Sequence, residues 1–85
     1  MPFIRIEALK ADNPPARTLL ISTDHVSSLY SKGATGPNGG VMFGFVVLCM
    51  TNGQVFEFKY QTPDVAFPMY QMLERALIHG ENVKI

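Results

Sequence analysis

Val41-Met42-Phe43-Gly44-Phe45-Val46-Val47-Leu48-Cys49-Met50 leads through Thr51-Asn52-Gly53-Gln54 into Val55-Phe56-Glu57-Phe58-Lys59-Tyr60, and this stretch decides the fold. The first run has no charge and is ten residues long, about half of the roughly 20 that a membrane-spanning helix needs. It reads as a strand apolar on both faces and therefore central in a sheet. Asn52-Gly53 is the preferred pair for a two-residue turn with two positive φ angles, so a hairpin is expected between strands at 41–50 and 55–60. In the return strand Phe56, Phe58 and Tyr60 share one face, while Val55, Glu57 and Lys59 share the other.

Upstream, residues 3–9 alternate, with Ile4, Ile6 and Ala8 opposite Arg5 and Glu7, the period of a half-buried strand. Asp12-Asn13-Pro14-Pro15 interrupts it with a surface loop, because two prolines remove two backbone donors. A second strand is expected at 17–21 and a third at 26–31, joined by a kink at Ser22-Thr23-Asp24-His25, whose side chains can bond their own backbone. The segment 33–40 holds four glycines and reads as a long mobile hairpin loop.

Downstream, Thr62 as cap, Pro63 in the first turn and Asp64 near the positive end of the dipole predict a helix over about 64–79. Pro68 would cost a backbone bond inside it, which leaves its start several residues wide. Met69, Met72, Leu73, Ala76 and Leu77 form an apolar stripe that faces a sheet, and Gly80 ends the helix. Val83 and Ile85 are placed to add a short edge strand.

The expected architecture is thus one α+β domain over 1–85, a four- to five-stranded antiparallel sheet followed by one C-terminal helix packed on one face. A single helix, about 10 Å wide, covers one face of such a sheet. The other face is expected to be an oligomer interface, formed by Val41, Phe43, Phe45, Val46, Val47 and Leu48 and covered by a second copy of the chain. The alternative is a small closed β-barrel plus helix, in which Gly44 supplies the bend.

With 85 residues, 47% apolar and 16% charged, the chain can build one core and not two. Seven basic against seven acidic side chains cancel, so no summed positive field attracts a polyanion. The opening Met1-Pro2-Phe3-Ile4-Arg5-Ile6-Glu7 mixes charge into its apolar residues and is not an export signal. Cys49 is the single cysteine, which suits a reducing compartment, and a cytoplasmic location with no membrane association is expected.

No constellation compels a chemistry. Asp24 and His25 are adjacent and would point to opposite faces of an extended segment. His79 at a helix end is explained by the dipole. His25, His79 and Cys49 lack metal-ligand spacing, and Cys49 sits between Leu48 and Met50 as a buried thiol. The glycine segment has no lysine followed by serine or threonine and leads into a strand, unlike a phosphate-binding loop. Phe56, Phe58 and Tyr60 could stack bases, yet Glu7, Glu57 and Asp24 lie among Arg5, Arg17, Lys32 and Lys59 and cancel the field. Arg5 with Glu7, and Glu57 with Lys59, read as solvated ion pairs worth at most about 1 kcal/mol each. No catalytic residue, cofactor or metal is assigned.

Leu19-Leu20-Ile21 leading to Asp24-His25-Val26, then a strand, Thr51-Asn52-Gly53, a strand and a helix, resembles in outline the small FlbD-type flagellar proteins and other small bacterial or phage-borne proteins. The likeness is one of layout over roughly residues 18–79 and assigns no functional residue. The expected function is a non-enzymatic, self-associating interaction module. Gly33, Gly36, Pro37, Asn38, Gly39 and Gly40 are its candidate loop for another protein. The alternatives are an apolar-ligand-binding domain, for which five methionines offer an adaptable lining, and a weak single-stranded nucleic-acid binder.

Overall fold

The computed structural model describes residues 3–9, 17–35 and 42–85. In chain order they form β1 (Phe3–Ala8), β2 (Arg17–Ser22), a 3₁₀ turn (Thr23–His25), β3 (Val26–Thr35), β4 (Met42–Met50), β5 (Val55–Tyr60), α1 (Pro63–His79) and β6 (Val83–Lys84). The class is α+β with a C-terminal helix. The single four- to five-stranded sheet is not what forms, and neither is a closed barrel. Two three-stranded sheets appear instead, ordered β2-β1-β6 and β3-β4-β5, and β6 joins β1 in parallel.

The division comes from the kink. Ser22 and Val26 are extended on either side of the 3₁₀ turn, so the chain bends there instead of reversing. β2 pairs back onto β1 with Ile4 opposite Ile21, and β3 pairs forward onto β4 with Leu29 opposite Leu48. β2 and β3 thereby become edge strands of different sheets.

β3 is also longer than the expected 26–31. Gly33 belongs to it and pairs with Gly44, which removes Gly33 from the expected loop. Gly36, Pro37, Asn38, Gly39, Gly40 and Val41 lie outside the described residues.

The β4–β5 hairpin forms at the expected place with a different turn. The Gly53 N–H donates to the Met50 carbonyl at 3.1 Å, and the Met50 N–H donates to the Gln54 carbonyl at 2.8 Å. Gly53 has φ 89°, and the Asn52 side-chain oxygen accepts from the Gln54 N–H at 2.9 Å. This is a three-residue connection with glycine in the left-handed position, not a two-residue one.

Thr62 Oγ1 accepts from the Val65 N–H at 3.3 Å and Pro63 occupies the first turn, so capping starts the helix despite Pro68, which lies inside it. Gly80, at φ 68°, ends it with its N–H bonded to the Ala76 carbonyl.

The core lies between the two sheets and the helix. Ile4, Ile6 and Ile21 of the first sheet meet Val46, Leu48, Phe56 and Phe58 of the second, while Ala66, Leu73 and Ala76 enter from α1. Each large side chain fully buried there contributes roughly 1.5–3 kcal/mol. Ile85 anchors the chain end: its N–H donates to the Glu7 carbonyl at 2.8 Å, and its carbonyl accepts from the Tyr60 hydroxyl at 3.3 Å.

Gly44 has a role other than bending a barrel. A Cβ there would lie 2.6 Å from Ala66 Cβ and 2.7 Å from Pro63 Cα. Only glycine lets the start of α1 approach β4 so closely.

Candidate functional site

The first sheet and α1 both pack on the same face of the second sheet, the face of Gly44, Val46 and Leu48. Strand alternation places Phe43, Phe45, Val47 and Cys49 on the opposite, outer face. Register sets Tyr30 and Lys32 of β3 beside Val47 and Phe45, and Glu57 and Lys59 of β5 beside the same two residues.

Charged side chains from the flanking strands lie across this apolar row. Lys32 Nζ meets Glu57 Oε2 at 3.1 Å, spanning β4, and sits 5.4 Å from the Phe45 ring centroid. Lys59 Nζ stands 4.0 Å above the Phe43 ring. A lysine stem covers apolar surface while its ammonium stays wet, and the ring face attracts the cation. Val47, on the same face, is 0% exposed although it lies outside the main core cluster. Tyr30 and Val55 flank the row at 44% and 53% exposure.

Of the expected self-association residues, Phe43 and Phe45 lie half-buried on this face and Val47 is fully buried there. Val46 and Leu48 are a correction. Both are 0% exposed in the core, because the odd and even positions of β4 serve different layers. Glu57 takes Lys32 as its partner, not Lys59. Lys32 is on the surface as the sequence suggests, but it reaches Glu57 because β3 runs past the expected end at residue 31 to Thr35. The residues Ser31-Lys32-Gly33-Ala34-Thr35 carry no apolar alternation, so nothing local in the sequence signals that extension.

The remaining candidates are scattered. Asp24 and His25 share the 3₁₀ turn, and His79 closes α1. Among the described residues no three His, Cys, Asp or Glu side chains gather as metal ligands. Phe56, Phe58 and Tyr60 are buried in the core, so they offer no platform for base stacking. Arg17 packs its guanidinium 5.1 Å from the Phe56 ring.

A cleft of about 320 Å³ beside the hairpin turn is lined by Ser22, His25, Met50, Thr51 and Asn52. The buried Ser22 hydroxyl at this bend has no hydrogen-bond partner among the described residues. No described helix is long and apolar enough to cross a membrane.

No family model matches this chain, and no curated protein or solved structure is significantly similar to it.

Proposed function

We propose that this chain is a non-enzymatic, self-associating protein-interaction module that works through the sheet β3-β4-β5. The observation that supports this is the aromatic row Phe43–Phe45 on the outer face. Two lysines and one glutamate lie over it, and Tyr30 and Val55 are exposed further along the same face, beside Val47 and Cys49. Among the described residues this side of the sheet carries no second layer and its edge strand β5 has no outer neighbour, a combination that favours association with another chain. A reducing compartment such as the cytoplasm is proposed because Cys49 is a free, half-buried thiol on the same face.

The test is solution mass by light scattering on a sizing column over about a hundredfold range of concentration. The proposal expects a species of twice the 9.4 kDa chain mass, or a larger multiple, that dissociates on dilution. A mass of 9.4 kDa throughout would overturn it.

A further inference from the structure

We infer that the second copy adds at the outer edge of β5, antiparallel, with Phe58 on the two-fold axis and Glu57 facing the partner's Lys59. This rests on the self-association proposed above and specifies its edge and register.

The hydrogen-bond parity of β5 comes first. Met50 and Gln54 form a hydrogen-bonded pair at the hairpin end, and such pairs alternate along an antiparallel ladder. Phe56, Phe58 and Tyr60, opposite Leu48, Val46 and Gly44, therefore turn their main-chain groups toward β4. Val55, Glu57 and Lys59 turn theirs to the outer edge, where no described strand is paired.

Two-fold pairing must match outward residues with outward residues. An axis at Phe58 sets Glu57 opposite the partner's Lys59 and, by symmetry, Lys59 opposite the partner's Glu57. Each is a hydrogen-bonded pair, so the register forms four backbone bonds and two cross-strand ion pairs. An axis at Glu57 would oppose two carboxylates, and one at Lys59 two ammonium groups. Charge selects the Phe58 register.

β3, the other edge of this sheet, has no such self-complementarity. Its only charged residue is Lys32, which is already paired with Glu57. Face-to-face stacking of the outer faces would have to displace the Lys32–Glu57 pair and the Lys59 ammonium over Phe43. Edge addition leaves Lys32–Glu57 in place and turns only Lys59 toward its new partner. It extends the three strands to six, with two Phe43–Phe45 rows on one continuous face.

The experiment measures dissociation constants by sedimentation for Glu57→Lys, Lys59→Glu, their equimolar mixture and the wild type, with melting temperatures as folding controls. Each single variant opposes like charges twice, and its self-association should weaken at least about tenfold. In the mixture two lysines of one chain face two glutamates of the other, so a heterodimer should return. Lys59→Glu keeps the Lys32–Glu57 pair and reports on the edge even where Glu57→Lys disturbs the outer face. Single variants that dimerise like a dimeric wild type, or a mixture that stays apart, would overturn the edge and register and leave self-association standing. A monomeric wild type would overturn both.

Discussion

Lys32 and Glu57 stand on strands that do not touch, β3 and β5, yet their charged groups meet at 3.1 Å above β4. Val47, paired with Glu57 in the register, is fully buried although it lies outside the main core cluster. An uncovered apolar face was expected to need a partner chain as a lid. Part of that cover is supplied by the chain's own charged side chains, and this is what moves the proposed contact from the face to the edge.

Lys32→Ala removes the ion pair and the stem over Phe45. Both partners are about half exposed, so folding stability should fall by less than about 1 kcal/mol. The larger effect is surface character. Binding of a hydrophobic dye should rise as Phe45 and Val47 become accessible, and unchanged dye fluorescence would show that Lys32 does not shield them.

Gly44→Ala and Gly33→Ala are a paired test, since the two glycines face each other across β3 and β4. A methyl at Gly44 overlaps Ala66 Cβ and the Pro63 backbone, whereas at Gly33 the nearest atom is the Pro63 ring at 3.4 Å. Gly44→Ala should cost about 1–3 kcal/mol through overpacking. Gly33→Ala should be close to neutral. Urea denaturation midpoints distinguish them, and equal midpoints would refute the close approach.

Gly53→Ala puts a side chain at φ 89° with open space around it. The cost is then backbone strain alone, about 1–2 kcal/mol. Gly53→Asn should lose less, because asparagine tolerates the left-handed region. Thermal unfolding of the two variants checks the order.

Tyr60 links stability to alkaline pH. Burial pushes its hydroxyl from 10.0 up to about 12, so the folded state holds the proton more tightly than the unfolded chain does. Its contribution is fully present below pH 10 and is lost as pH rises from 10 through about 12. Tyr60→Phe removes the bond to the Ile85 carbonyl, costing about 1 kcal/mol at neutral pH. It should also flatten that alkaline decline, which unfolding free energies measured from pH 8 to 12 would reveal.

What was legible in the sequence follows from period and turn chemistry. The strands at β1, β2, β4 and β5 and the helix under Thr62-Pro63-Asp64 were readable because alternation, capping and Asn-Gly act locally. The two-sheet arrangement was not, because whether Ser22-Thr23-Asp24-His25 reverses or merely bends the chain depends on which strand each flank then meets. The role of Gly44 was also hidden, since a close approach needs the other element in view. The outer face was half legible: alternation separates Phe43, Phe45 and Val47 from Val46 and Leu48, but only the register of three strands brings Lys32 to Glu57.

Residue-resolved amide hydrogen exchange at dilute and concentrated protein tests the central claim most directly. The N–H groups of Glu57 and Lys59 face an edge with no described neighbouring strand in the single chain and are hydrogen-bonded in the paired one. The account predicts that they exchange freely when dilute and slow as the dimer fills, while Phe58, bonded to β4 in both states, stays protected throughout. Equal, rapid exchange of Glu57 and Lys59 at both concentrations, in a sample whose mass has doubled, would contradict it.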